Sequence, residues 1–347
     1  AGDYEYKLGI DYLANPDYWD TDSAGRQLPF LDGAKVRVIG DATARCAAFR
    51  TGKIDVGCSI SNVEGADALL KTNPTTIIQE YTLPYSTANT GFRHDKEPWN
   101  DVRVRRAMAL AVDWEAMSQA LFGVAANPWD GISGAWYGEA TNDLATLNGH
   151  TSGNWYSYDP ERAKALLAEA GYPNGLSSSL EYFPYNPSHT EAHELKQAYW
   201  KEVGIDMEIK SLDYSVFRAN LDNGAWTDIG GWTFIYPYAS SMEGAILDLK
   251  PGHGQNENTG FITDDVLTDL VDQVMAAYAD EAKRKDLVKQ IRARYLDQVY
   301  SLPWPWGNTM IPFAPRLRDF NPNNSALVSS DMRPYNYAWI DDTYAFN

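Results

Sequence analysis

The 347-residue chain is 44% hydrophobic and 22% charged, a balance typical of a globular protein and not of a disordered one. Because a single hydrophobic core stops growing at about 250–300 residues, a chain of this length is expected to form two lobes. The formal net charge of −18 disfavours general affinity for nucleic acids and anionic membranes, since both repel a strongly acidic surface. The sequence has no run of about 18 apolar residues, so it predicts no membrane span.

The first part of the chain, residues 1–83, alternates extended pieces with short helices, which predicts α/β layering. The helices are expected at 42–51 and 63–71. Residues 84–92 then predict an extended strand that crosses to a second lobe.

The second lobe is predicted from another alternation of helices and strands. Its first helix begins near Val102, where Asp101 is placed to cap it. The stretch 127–158 is rich in Trp, Gly, Asn and Pro and has little periodicity, so we expect a long loop there. Gly171 is expected to close the next helix. The predicted elements that follow the loop are helices 160–170, 190–203 and 214–223 and strands 179–183, 206–212 and 229–232.

Two further helices are predicted at 264–279 and 281–299. The second presents an apolar face made of Leu287, Ile291, Tyr295 and Val299. The Pro-Trp-Pro-Trp run at 303–306 is expected to return the chain to the first lobe, which residues 311–347 complete.

Several segments occur along this chain in the order that one protein family uses. None contains a catalytic signature, and two of them are helices that begin at an aspartate. Through these segments the chain resembles the family 5 extracellular solute-binding proteins of ABC importers, which include dipeptide-, oligopeptide-, nickel- and some oligosaccharide-binding proteins. The segments are 15–19, 44–56, 101–113, 158–175, 203–206 and 302–304.

The resemblance implies an α/β fold of two lobes, like that of the large class II periplasmic binding proteins. The boundaries are then expected at 1–84 for the late part of lobe I, 85–92 for a hinge crossing, 93–300 for lobe II, 301–307 for the hinge return and 308–347 for the end of lobe I. Family members normally begin with a long segment that supplies much of the first lobe. The resemblance therefore implies that lobe I is incomplete and lacks an N-terminal segment.

The family resemblance also implies a function, which is to capture a small solute between the two lobes and deliver it to a membrane permease. The protein would be exported to the periplasm or the outer face of the membrane. It would need no cofactor, and it would meet the membrane only through the permease or through a lipid anchor outside this sequence. The chain contains none of the GxSxG, GxxxxGK[ST], GxGxxG and CxxC motifs, so the sequence predicts no enzyme.

Two other classes of protein remain open alternatives. A hydrolase with widely spread catalytic groups would show no local motif, and a two-lobe scaffold would bind no solute. Turnover of a candidate solute would favour the first, and thermal stabilisation by a solute would argue against the second.

Aromatic residues make up 13% of the chain and provide the candidate ligand-binding residues. A cluster of rings follows the strand that ends near residue 232, where ligand crevices form in open α/β sheets. Other rings and amides lie on the two expected hinge crossings, and we expect rings that line an open cleft to be only partly packed. The candidates are Trp232, Phe234, Tyr236, Trp304, Trp306, Tyr85, Asn89, Trp136 and Asn258.

The same resemblance bears on the ligand. Peptide-binding relatives carry an aspartate that pairs with the α-ammonium group of the peptide, and the matching position here falls near Ile235. Without that carboxylate a free amino terminus would be buried unpaired. We therefore expect a neutral, oligosaccharide-like solute, with a peptide as the alternative.

Histidine and cysteine pairs complete the candidate residues. His189 and His193 lie one helical turn apart, a spacing that suits two zinc ligands, but no third ligand is evident. We expect them on a solvated helix face, and we predict no metal site. Cys46 in a helix and Cys58 after a strand could reach disulfide distance, and two buried free thiols are the alternative.

Overall fold

The computed structural model describes residues 4–5, 8–39, 41–58, 60, 63–81, 90–123, 127–129, 143–184, 187–231, 258–306, 309–320, 337–341 and 343. The chain forms two compact units. Unit 1 comprises Ala1–Leu83 and Asn308–Asn347, and unit 2 comprises Pro84–Gly307. Among the described helices, none is long and apolar enough to cross a membrane.

Strands and helices alternate along the chain. The strands are β1 Tyr4–Glu5, β2 Gly9–Leu13, β3 Gly33–Arg37, β4 Ile77–Tyr81, β5 Thr90–Phe92, β6 Asn127–Trp129, β7 Leu176–Tyr182, β8 Ile205–Ser211, β9 Ile229–Gly231, β10 Ser301–Leu302, β11 Trp304–Trp306, β12 Thr309–Phe313, β13 Leu317–Arg318 and β14 Trp339–Ile340. The helices are α1 Ala42–Arg50, α2 Val63–Thr72, α3 Val102–Leu110, α4 Trp114–Phe122, α5 Leu144–Gly149, α6 Pro160–Glu169, α7 Pro187–Glu202, α8 Tyr214–Asp222, α9 Asp265–Ala276 and α10 Glu281–Asp297.

Aspartate N-caps begin most of the described helices. The Asp101 carboxylate accepts the Arg103 N–H at 2.8 Å, and the Asp159 carboxylate accepts the Arg162 N–H at 3.0 Å. Each bond satisfies an N–H that has no partner within its own helix. Gly171 follows α6 with a φ of +99°, a left-handed conformation that glycine adopts without steric cost. The predicted caps and the predicted glycine stop are confirmed.

Unit 2 is built on a five-stranded mixed sheet with the order β10-β5-β9-β7-β8. Strands β8, β7 and β9 run parallel, whereas β5 and β10 pair antiparallel. Parallel neighbours need a crossover connection, and α7 supplies it between β7 and β8. A separate antiparallel pair joins β11 to β6.

Two arginines of α3 attach that helix to the end of α10. The buried Arg105 side chain donates to the carbonyl oxygens of Val299 at 3.0 Å and Gln298 at 2.9 Å. Arg106 donates to the Asp297 carbonyl at 3.0 Å and pairs with its carboxylate at 2.8 Å. Burial lowers the pKa of Arg105 to about 10, so the guanidinium stays charged. The Arg-Val-Arg-Arg run therefore caps a helix C-terminus that would otherwise leave carbonyls unpaired.

The stretch predicted as a long loop contains regular structure. Asp143 caps the short helix α5, which buries Leu147, and residues 127–129 form β6. The Trp155 ring is nearly buried, and its indole N–H donates to Asp297 at 3.0 Å. Arg106 lies 4.3 Å from that ring. A six-residue helix offers too few periodic positions to be seen in the sequence, so this part of the loop prediction is wrong.

Unit 1 is smaller and contains two-stranded and three-stranded antiparallel sheets. Strands β1, β2 and β3 form one, β12 pairs with β4, and β13 pairs with β14. Helices α1 and α2 contribute Phe49 and Leu69 to a compact apolar cluster with Met310. A disulfide joins Cys46 to Cys58 beside this cluster, across a sequence separation of 12.

Unit 1 also presents several large apolar side chains to solvent. On and beside the β2–β3 hairpin, Leu13, Val36 and Val38 are exposed, and Trp19 is 82% exposed. Single exposed apolar residues of this kind are common on protein surfaces.

Breaking the disulfide should destabilise unit 1. Replacing Cys46 and Cys58 together by Ser should lower the free energy of unfolding by about 3 kcal/mol, because the bond removes loop-closure entropy from the unfolded chain. Urea denaturation with and without a thiol reductant measures this. The chain has two cysteines, so the reductant should act on the parent protein and leave the double variant unchanged. Equal stability of the parent in both conditions would contradict the prediction.

Candidate functional site

Helix α7 of unit 2 carries a row of polar side chains on its buried face. His189, His193, Lys196 and Trp200 recur at spacings of four, three and four residues, which place them on one side of a helix. His189 is 5% exposed and His193 is 1% exposed. The prediction of a solvated histidine face is therefore wrong. The face is buried because Trp304 of β11 and Tyr182 of β7 pack against it.

Lys196 is the most unusual side chain of this row. It is fully buried, and its Nζ donates to the Thr90 hydroxyl of β5 at 2.6 Å. The same Nζ lies 4.8 Å from the centre of the Trp304 ring, within the range of a cation–π contact. Within the described part of the chain, no carboxylate forms an ion pair with it. We call Thr90, His189, His193, Lys196 and Trp304 the Lys196 cluster.

The two histidines share the Trp304 ring with the lysine. The imidazole of His189 lies 4.7 Å from the indole, and that of His193 lies 5.5 Å from it. The His193 ring also packs 4.7 Å from Tyr182, whose hydroxyl donates to Thr190. The Nδ1 atom of His193 is buried without a hydrogen-bond partner. Buried polar atoms in folded proteins are nearly always hydrogen-bonded, so an imidazole nitrogen without a partner is unusual here.

Burial controls the charge state of the cluster. It lowers the pKa of Lys196 to about 7, because an ammonium loses its hydration there. It also lowers the pKa of His189 to about 4 and that of His193 well below its usual value, and the Lys196 charge lowers both further. Near neutral pH the histidines are therefore neutral, and Lys196 is poised between its two forms. Perturbed ionisable groups of this kind concentrate at functional sites.

The cluster does not have the composition of a metal site. Among the described residues, no group of three or more His, Cys, Asp or Glu side chains could hold a metal ion. The charge of Lys196 would also repel a divalent cation placed at the two imidazoles.

Most residues predicted to contact the ligand lie outside the described part of the chain. Trp306 lies in β11, where it pairs with Asn127 of β6. Asn258 uses both ends of its side-chain amide to bind the backbone of Ile262, at 2.7 and 2.9 Å, and so closes a turn. The predictions that fall outside the description are Trp232, Phe234, Tyr236, Tyr85, Asn89 and Trp136.

Trp304 is described, and it is only 2% exposed. The expectation that its ring would be partly packed is wrong, because α7 covers it with His189, His193 and Lys196. Its role in ligand contact stays a prediction. Sequence reasoning missed Lys196 and Thr90. The signal for Lys196 was its position three residues after His193, which puts it on the same helix face.

Known proteins are similar to this chain over most of its length. The sequence model of bacterial extracellular solute-binding proteins, family 5 Middle, matches residues 4–247. The chain belongs to this family. Its identity to heme-binding protein A of Haemophilus influenzae is 27% over 323 residues, which cover 92% of this chain and 55% of that protein. Its identity to the dipeptide-binding protein of Escherichia coli is 26% over 308 residues, or 86% and 53% of the two chains.

A solved structure has the same fold. The ABC transporter-associated periplasmic binding protein DppA from Helicobacter pylori, in complex with the peptide STSA, has a TM-score of 0.73 at 18% identity. The match covers 97% of this chain and 61% of that chain. This likeness shows that the chain has the α/β fold of the periplasmic binding proteins. This family 5 chain spans about half the length of the two curated relatives.

The buried lysine should make stability depend on pH. The unfolded chain holds the Lys196 proton up to its ordinary pKa of 10.5, whereas the folded chain releases it above about 7. Stability should therefore fall as the pH falls between these values. From about pH 9 to about pH 7 the loss should be about 2 kcal/mol larger in the parent than in Lys196→Met. Urea denaturation across this range measures the difference, and parallel profiles would contradict it.

Trp304 should behave as a core residue. Trp304→Ala is expected to lower the free energy of unfolding by about 3–5 kcal/mol, because it removes a buried ring and leaves a cavity. Trp19→Ala is the matched control, since that ring is 82% exposed and its loss should change stability by less than about 0.5 kcal/mol. Denaturation midpoints compare the two variants. Equal effects would show that the Trp304 ring is not packed as described.

Proposed function

We propose that this family 5 chain is the solute-binding component of an ABC import system. It captures a small solute on the outer side of the membrane and presents it to a permease. The observation that carries the proposal is the family match over residues 4–247, and the fold likeness to a transporter-associated binding protein supports it. We propose that the protein is exported to the periplasm or to the outer face of the membrane.

Capture without chemistry is the mechanism that this proposal implies. A solute that binds one conformation more tightly than another shifts the population toward the first. A permease that recognises the favoured conformation then receives loaded protein in preference to empty protein. The family is one of solute-binding proteins, and no catalytic motif occurs in the sequence, so the hydrolase alternative has no supporting observation.

The preferred solute needs correction. The expected preference for an oligosaccharide finds no support among the relatives, which are a heme-binding protein, a dipeptide-binding protein and a binding protein solved in complex with a peptide. The peptide alternative fits these relatives. We therefore place peptide-like solutes ahead of oligosaccharides, and the residues near Ile235 that led to the earlier preference lie outside the described part of the chain.

A panel of solutes tests the proposed function. Free dipeptides and tripeptides, hemin, nickel ions and maltotriose should be compared by thermal denaturation of the 347-residue chain. One class should raise the melting temperature progressively with its concentration, because a ligand that binds only the folded chain stabilises it by mass action. Chromatography of the incubated solute should recover it intact.

Two outcomes would contradict the proposal. Conversion of a solute into products would favour the hydrolase. A melting temperature that no class changes would favour a scaffold without a ligand.

A further inference from the structure

The strands beside the two unit boundaries contact one side chain of α7. The chain enters unit 2 at Pro84, and β5 is the first described element after that point. The chain leaves unit 2 at Gly307, and β11 is the last described element before it. Nζ of Lys196 lies 2.6 Å from the Thr90 hydroxyl of β5 and 4.8 Å from the centre of the Trp304 ring of β11. A single amine therefore contacts both strands.

We propose that Lys196 is a positioning residue that holds β5 and β11 against α7, and that this hold loosens when the amine takes up a proton. The proposal concerns how unit 2 secures the two stretches of chain that lead to and from unit 1. It goes beyond the proposed import function, because it requires neither a solute nor a permease.

Backbone pairing alone secures β11 poorly. Strand β5 belongs to the five-stranded sheet, whereas β11 pairs with β6 in a sheet of two strands, so within the described residues no ladder joins β5 to β11. In the β11–β6 pair Pro305 lies opposite Pro128, and neither residue has an N–H to donate. The position of β11 therefore depends on side-chain contacts such as that of the buried Trp304 ring with α7.

The surroundings of Lys196 supply no charge of either sign near neutral pH. The groups that face it from α7, β5 and β11 are His189, His193, Thr90 and Trp304. Tyr182 of β7 packs on the far side of His193. The next residue of that strand, Glu181, accepts a hydrogen bond from Thr227 on the opposite face of the sheet. Strand β8 and helix α4 also pack against α7, and their charged side chains reach solvent: Asp206, Glu208, Lys210 and Glu115.

A proton changes the balance of this contact. Burial lowers the pKa of Lys196 to about 7, so above this pH the amine is neutral and its hydrogen bond to Thr90 needs no counter-charge. Below this pH the amine binds a proton, and an ammonium without water or a carboxylate is destabilised. The protonated form therefore favours an arrangement in which water reaches the amine and the contacts with Thr90 and Trp304 open.

Hydrogen exchange measures this opening segment by segment. The chain without solute is labelled between about pH 8.5 and about pH 6, and the rates are corrected for the intrinsic exchange of an unstructured peptide. Protection of residues 90–94 and 301–306 should fall by about tenfold toward the lower pH, because the opened form holds the proton more tightly. Both segments should exchange faster than β8 and respond little to low urea concentrations, since a local opening exposes little surface.

Lysine variants test the origin of the pH dependence. Lys196→Met should abolish it in both segments, because the new side chain is of similar length and does not titrate. Lys201→Met is the matched control, since it removes an exposed lysine from the last turn of the same helix, and it should keep the full pH dependence.

A threonine variant tests the hydrogen bond itself. Thr90→Val should lower the protection of residues 301–306 by about fivefold at about pH 8.5, because the buried amine loses its acceptor. The same change made in Lys196→Met should have no effect on that segment. Thr259→Val is the matched control, since that buried hydroxyl has no hydrogen-bond partner and its removal should leave both segments unchanged.

Three results would overturn the proposal. The first is exchange of both segments only together with β8 and with the same urea dependence, which would show that only global unfolding exposes them. The second is a pH dependence that persists in Lys196→Met, and the third is unchanged protection of residues 301–306 in Thr90→Val. If Lys196→Met does not fold, the parent and Thr90→Val still decide. None of these results depends on the solute panel, so the import proposal stands or fails separately.

Discussion

The hydrogen bonds from Arg105 and Arg106 hold α3 against the end of α10, where the chain turns into the five-stranded sheet of unit 2. They join α3, near the start of the unit, to carbonyls nearly 200 residues later, at sequence separations of 194 and 191. The chain leaves α10 at that point and enters β10, which pairs with β5 so that Leu302 lies opposite Thr90. Two residues further on, Trp304 reaches α7. The guanidinium contacts therefore hold the end of α10, from which the chain runs to the strand opposite Thr90 and on to Trp304.

Helix α7 keeps an arrangement that is costly for a buried helix face. Its buried face holds two imidazoles and an amine where apolar side chains would pack more favourably. Trp200 on the same face is an ordinary core residue, because its only polar group, the indole N–H, is paired with the Met108 carbonyl at 3.1 Å. The surrounding apolar core, which includes Phe92 stacked 5.5 Å from Trp99, is well packed. Stability from that core offsets the cost of the polar face, and proteins commonly accept such a cost at functional sites.

A shared fold leaves the solute undetermined. The two curated relatives are named for heme and for dipeptides, although they match most of this chain at similar identity. Fold and framework are thus compatible with chemically unrelated ligands, and the distinction must lie in individual side chains.

The sequence by itself determined the local elements and the family. Asp101, Asp159 and Gly171 predicted helix ends correctly, since a cap depends on residues within one helical turn. The apolar face of α10 was equally readable, because Leu287, Ile291 and Tyr295 recur at helical spacing.

The tertiary structure decided which helix faces are buried. The histidine pair on α7 resembles a solvated face until Trp304 and Tyr182 cover it, and Lys196 resembles an ordinary surface lysine until its contact with Thr90, 106 residues earlier, is known. The Trp304 ring was expected to line a cleft, and the structure buries it in the core for the same reason. Burial depends on residues that are distant in sequence and adjacent in space, and periodicity along one helix contains no information about them.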